Sequence, residues 1–255
     1  GFEKISDISK NLGVYESVPE LLSVSLGSNE TTLLKLTNAY CIFVNGGKKI
    51  NPVLINRIQD RRGKTIFNSE KRICVGCETF TNDKKFQPAI SDKYEQAISK
   101  ETAYQITSML EGVIMRGTGK KLKNLNVPLA GKTGTTNKNF DAWFVGFTSN
   151  LAIGVYIGYD EPRTLGKYET GAKAALPIFK KFVQQAIYIE EMRPFNIPSS
   201  IYFFPVDYDT GENVDFASSK AIPEAFKENS LEKIKLKNLK LGQNYDKFNK
   251  FRRFY

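Results

Sequence analysis

The sequence predicts an α+β fold in which an antiparallel sheet is packed with helices. Three observations carry that prediction. Residues 127–136 begin apolar and then alternate, as a strand that emerges from a core does. Two further apolar runs follow at 139–147 and 151–159, separated by the turn-like Thr148-Ser149-Asn150, so the three form a meander. Segments 30–44, 99–115 and 171–190 instead repeat their apolar residues at helical spacing.

In chain order, residues 2–12 place Phe2, Ile5, Ile8 and Leu12 on one helical face, and Gly13 ends that helix as a left-handed cap. A loop runs from Val18-Pro19-Glu20 to Leu26-Gly27. The 30–44 helix takes Thr31 or Thr32 as its cap and Leu33, Leu34, Leu36, Ala39, Tyr40 and Phe43 as its core stripe, and Asn45-Gly46-Gly47 stops it. Residues 53–59 read as a strand, Asp60-Arg61-Arg62-Gly63 as a turn and 64–67 as the hairpin partner. Residues 68–97 are polar and read as an irregular insertion. Ser99 caps the next helix, which points Ile106, Met109, Leu110 and Val113 inward, and Gly117-Thr118-Gly119 makes a tight turn after it. The 171–190 helix presents Ala172, Ala175, Ile178, Phe179, Phe182, Val183 and Ile187, with Pro177 as a kink. After residue 192 the character changes. Residues 201–207 and Asp209-Thr210-Gly211 read as a short strand and turn outside the main core, and 217–255 as a largely mobile, charged tail. The division is therefore residues 1–192 as the main domain and 193–255 as an extension.

Composition narrows the chemistry. The chain has 255 residues, enough for one sizeable domain. Its 37 Lys and Arg against 27 Asp and Glu give a net charge of +10, which suits anionic partners without choosing among them. Histidine is absent, and this removes Ser-His-Asp and Cys-His catalysis; an acyl-transfer enzyme would need lysine as its base. Three cysteines and no histidine cannot supply the four ligands of a structural zinc site, and no cofactor is expected. Cys41 reads as a core residue, and Cys74-Val75-Gly76-Cys77 as a local disulfide or a pair of free thiols. No stretch reads as a membrane-spanning helix or a signal peptide.

The chemistry gathers on Leu129-Ala130-Gly131-Lys132-Thr133-Gly134-Thr135-Thr136. Lys132 puts a fixed positive charge on the strand. Thr133 and Thr135 share a face at period two and bring hydroxyl donors. Gly134 lets another backbone approach. Such a strand can pair with an extended peptide and hold its terminal carboxylate. Lys-Thr-Gly is also the third box of the penicillin-binding proteins and β-lactamases. Together with the meander that follows it, the arrangement resembles the transpeptidase domain of class A penicillin-binding proteins, the bifunctional cell-wall synthases of bacteria. The stretch from Ser25-Leu26-Gly27 to Asn45-Gly46-Gly47-Lys48-Lys49-Ile50 is similar to the segment that follows the family's Ser-x-Asn box, and Gly117-Thr118-Gly119 to its pattern before Lys-Thr-Gly. The resemblance covers about residues 1–215, the C-terminal part of that domain.

The resemblance implies a penicillin-binding protein/β-lactamase-like fold and a peptidoglycan D,D-transpeptidase, with peptidoglycan stem peptides and β-lactams as partners, no nucleic acid, and an extracytoplasmic location. The membrane would be reached only through an N-terminal anchor that precedes this chain. Lys132 and Thr133 would bind the substrate carboxylate, Gly134 would admit the substrate strand, and Thr135 would add a hydroxyl and, through its backbone N–H, part of the oxyanion hole. Asp141 and Trp143 would support the site. The family's nucleophilic serine and its lysine base would lie upstream, outside the chain, which reads as a fragment that a missing upstream half completes. Two chance matches to the upstream boxes occur. Ser230-Leu231-Glu232-Lys233 follows Lys-Thr-Gly and lies in the charged tail, and Ser9-Lys10-Asn11 abuts the segment that should follow the box. Two other functions are weighed: a non-catalytic wall-peptide or β-lactam binding module, and nucleic-acid binding by the basic tail around Lys233, Lys235, Lys237, Arg252 and Arg253.

Overall fold

The structure, a computed structural model, describes residues 1–70, 72, 74–75, 77, 89–90, 94–186 and 193–230. Helix α1 (Phe2–Asn11) ends as expected: Gly13 has φ +69° and the Val14 N–H reaches back to the Ser9 carbonyl at 3.0 Å. None of its own residues is buried, and only Leu12, just past its end, is. The loop before α2 contains a short 3-10 turn over Leu22–Leu26, which Gly27 closes at φ +82°. Helix α2 (Leu33–Val44) takes Thr32 as its cap, and the Thr32 hydroxyl accepts from the Lys35 N–H.

Strand β1 (Arg57–Gln59) is shorter than the 53–59 expected and pairs with β2 (Thr65–Asn68); Val53, Leu54 and Ile55 are exposed. The Asp60 carboxylate organises the turn by accepting from the N–H groups of Arg62 and Lys64. In the 68–97 stretch, β3 (Cys74–Val75) pairs antiparallel with β4 (Ala89–Ile90), and Cys74 and Cys77 are disulfide-bonded.

Helix α3 (Lys100–Met115) begins at Ser99, whose hydroxyl caps Thr102. The central sheet follows in the order β5 (Ala130–Thr135), β6 (Ala142–Phe147), β7 (Ala152–Ile157), all antiparallel and in continuous register. Helix α4 (Ala175–Ala186) covers one face. There Phe144 packs edge-on against Phe179 at 4.6 Å, in a cluster with Ile114, Leu122, Leu129, Leu176 and Val183. Helices α2 and α3 cover the other. Gly154 of β7 has no room for a side chain because Leu33 and Thr37 of α2 press against it.

Two expectations about the helices change. Pro177 sits in the first turn of α4, where no intrahelical acceptor awaits an N–H, so it starts the helix instead of kinking it. The core stripes are narrower than the apolar periodicity: Leu34, Met109, Ile178 and Phe182 are exposed, while Ile42, Ile114 and Leu176 are buried.

Strand β8 (Ile201–Asp207), expected outside the main core, is part of it. It pairs along its whole length with β9 (Ala221–Lys227), which lies in the stretch read as a mobile tail. Ile201 and Ala225 join Phe195, Tyr104, Ala130 and Phe147 in a second cluster. Gln105 of α3 donates to the Ala225 carbonyl at 2.8 Å. Strand β9 was missed because Pro223, Glu224 and Lys227 interrupt its apolar pattern, and only the contact with α3 makes the hairpin a buried layer. Ile187 and the tail lysines and arginines beyond residue 230 lie outside the described residues. No helix among the described residues is long and apolar enough to cross a membrane.

Candidate functional site

Lys132, Thr133, Gly134 and Thr135 all lie on β5, at the edge of the central sheet; among the described residues no strand pairs with its other side. Ala130 and Gly131 are buried and root the strand, and Lys132 and Thr135 are exposed. Gly131 is obligatory here, since a Cβ would fall 2.8 Å from the Gly146 Cα.

The register fixes which way each side chain leaves. Lys132 lies opposite Val145 and Thr133 opposite Phe144. Alternation therefore sends Thr133 and Thr135 to the α4 face and Lys132 to the other. The lysine stem is long enough to return: its Nζ donates to the Thr133 carbonyl at 2.8 Å and lies 3.5 Å from the Thr133 hydroxyl. The ammonium and the hydroxyl thus meet at the strand edge although they start from opposite faces.

A third group joins them from outside the strand. The Thr118 hydroxyl lies 2.9 Å from the Thr133 hydroxyl. Thr118 is the middle residue of Gly117-Thr118-Gly119, read from the sequence as a tight turn similar to the family's pattern before Lys-Thr-Gly, with no role given to the threonine itself. Its signal was the pair of flanking glycines.

Thr135 is engaged differently. Its hydroxyl accepts from the Gly171 N–H at 3.0 Å, tying β5 to the loop that leads into α4. A Cβ on Gly171 would come within 2.5 Å of the Gly134 carbonyl oxygen, and one on Gly134 within 3.1 Å of the Trp143 Cβ. The close approach read for Gly134 is thus made here by Trp143 and Gly171 of the same chain. Nothing in the sequence marked Gly171.

Asp141 and Trp143 stand beside this end of the strand. The Asp141 N–H donates to the Thr136 hydroxyl at 2.8 Å, and its carboxylate accepts from Tyr156 at 2.8 Å. That bond to the carboxylate holds the Tyr156 phenol above its ordinary pKa. Trp143 leans on the Tyr156 ring at 4.7 Å. This brace closes the β5–β6 turn.

The two chance matches are placed elsewhere. Ser9 lies on α1 with its hydroxyl donating to the Ile5 carbonyl. Ser230 ends a short 3-10 turn after β9, and its Lys233 lies outside the described residues. A cleft of about 430 Å³ is lined by Val14, Tyr15, Glu16, Asn29, Thr31 and Lys35 at the start of α2 and includes no residue of β5.

A sheet edge that carries ammonium and hydroxyl donors in this order on this α+β frame defines a class. A family described as the penicillin-binding protein transpeptidase domain matches residues 4–184, and the chain belongs to that family. Among individual proteins, it is similar to penicillin-binding protein 1A of Rickettsia prowazekii, with 41% identity over 252 residues, 97% of this chain and 31% of that protein. The alignment extends past residue 215, so the tail, set down as unmatched, is shared in large part. The chain spans under a third of the length of the curated relatives it matches. Penicillin-binding protein 1A from Haemophilus influenzae has a solved structure with a TM-score of 0.70 and 26% identity, covering 89% of this chain and 36% of that one. PonA1 of Mycobacterium tuberculosis, solved in complex with penicillin V, shares the fold, with a TM-score of 0.54 and 21% identity over 76% of this chain and 51% of that one.

Proposed function

We propose that this chain is the carboxylate-clamping part of a serine-type peptidoglycan D,D-transpeptidase of class A. The observation that carries this reading is the meeting of the Lys132 ammonium with the Thr133 hydroxyl at a strand edge that no described strand pairs with. A stem peptide laid along β5 would add a strand and exchange backbone hydrogen bonds with it. Its terminal carboxylate would meet Lys132 and Thr133, and charge-assisted hydrogen bonds are about twice as strong as neutral ones. Attack by a serine on the penultimate carbonyl would convert its oxygen to an oxyanion. The Thr135 backbone N–H would be one of the donors that stabilise it. The serine would pass its proton to a lysine one helical turn away, and both would come from upstream sequence outside these 255 residues. A β-lactam presents the same carboxylate and a strained carbonyl, so it would acylate the same serine. Peptidoglycan as the substrate would put the site of action on the extracytoplasmic face of the membrane, and the membrane itself would be reached only through an anchor elsewhere in a longer parent protein.

The alternative is a wall-peptide or β-lactam binding module without catalysis. Intact-mass measurement after incubation with benzylpenicillin separates the two. The 255-residue chain alone is expected to show no adduct, and the chain with its upstream half supplied a single acyl adduct. An adduct on the chain alone would place a nucleophile within these residues. No adduct in either case would favour the binding module.

A further inference from the structure

We infer that Thr118 is a third carboxylate-binding residue of this site, and that the Gly117-Thr118-Gly119 turn exists to deliver its hydroxyl; the inference rests on the function proposed above. The turn is built with no slack. The N–H groups of Gly117 and Gly119 both bond the Val113 carbonyl, at 3.1 and 3.0 Å, and so fold the chain back onto the last turn of α3. A Cβ on Gly117 would lie 2.9 Å from the Val113 Cα, and one on Gly119 2.8 Å from the Ile114 Cδ1. A side chain at Gly117 would meet the helix backbone and lift the turn, and Thr118 with it, off the strand; at Gly119 the Ile114 side chain would have to give way. Beyond the turn, Leu122 is buried in the cluster beneath the sheet, which fixes the far side.

The Arg116 side chain folds back over Gly112, with its guanidinium 5.9 Å from the centre of the Tyr208 ring. Glu224 of β9 also feels its charge. The β8–β9 hairpin thereby holds the start of the same turn.

Hydroxyl chemistry gives the arrangement its use. Each threonine hydroxyl has one proton and two acceptor positions. Thr118 and Thr133 at 2.9 Å share one proton between them, which leaves the other free to be donated. The Lys132 ammonium, 3.5 Å from the Thr133 oxygen, polarises the pair. An arriving carboxylate oxygen would meet one hydroxyl proton and one ammonium proton. A plain helix stop would need neither an exposed hydroxyl at this point nor a glycine pressed against the helix backbone just before it.

The test is made in the full-length protein, by comparing second-order acylation by benzylpenicillin with acylation by its methyl ester, which lacks the charge. Thr118→Val is expected to slow benzylpenicillin roughly tenfold, the scale of one hydrogen bond to a charged group, and to leave the ester unchanged. Thr118→Ser, which keeps the hydroxyl, should restore the rate to within about twofold. Thr118→Ala serves as a second hydroxyl-free variant if the valine lowers the melting temperature. An unchanged benzylpenicillin rate in the hydroxyl-free variants would overturn the inference. So would an equal loss on both compounds, or a serine variant as slow as the valine. Lys132→Ala, run alongside, tests the underlying reading: if it leaves the preference for acid over ester intact, the site itself is misassigned. If it abolishes that preference while Thr118→Val does nothing, the site stands and only the role of Thr118 falls.

Discussion

Lys132 and the two threonines around it were legible as types and in order, because their spacing is a property of the strand alone. Which face each occupies was not, since it depends on the register with β6 and on the length of the lysine stem. Gly171 was invisible for a related reason: a glycine is recognised only by what crowds it. A Cβ there would meet the backbone of Trp143 and Gly134, neither of which can swing aside. Gly171→Ala is therefore expected to cost about 1–3 kcal/mol, the usual range for overpacking against fixed atoms. Denaturant titration checks this. An unchanged midpoint would mean that the loop before α4 has more room than its contacts with β5 imply.

The caps and turns at the level of elements were read well, because Ser99, Thr32, Gly13 and Asp60 act on neighbours within a few residues. The β8–β9 hairpin was not, because its burial depends on α3, which lies a hundred residues earlier in the chain. Its docking has a pH signature. Burial holds the Glu224 carboxyl above its ordinary pKa, although the charge of Arg116 pulls it the other way. A folded-state pKa above the unfolded one favours the fold at low pH, and that stability is lost as pH rises through the folded value. Glu224→Gln should then raise the melting temperature at pH 7–8, with the gain shrinking as pH falls toward 5. A loss of stability at neutral pH would show that the pairing with Arg116 outweighs the cost of burial.

At the scale of the molecule, the sheet and the hairpin share one buried apolar cluster among the described residues, so they are expected to unfold together. Phe195 packs edge-on against Phe147 at 5.4 Å and is buried. The only tryptophan, Trp143, lies on the same strand as Phe147. Phe195→Ala should cost about 3–5 kcal/mol, as truncation of a buried aromatic does. The loss should appear in unfolding followed by Trp143 fluorescence, although the mutation lies in the C-terminal segment. A tryptophan transition that does not move would make that segment a separate unit.

That no described strand pairs with the outer side of β5 also has a consequence for how the protein keeps company with itself. A strand edge that invites an extended peptide invites the β5 of any neighbouring molecule equally well, and open edges of this kind lead to fibres and aggregates. The edge here carries an exposed cation at Lys132, and two copies brought edge to edge would bring two such charges together. The charge that would draw in a substrate's carboxylate is thus also a gatekeeper, one that turns away a partner of its own sign.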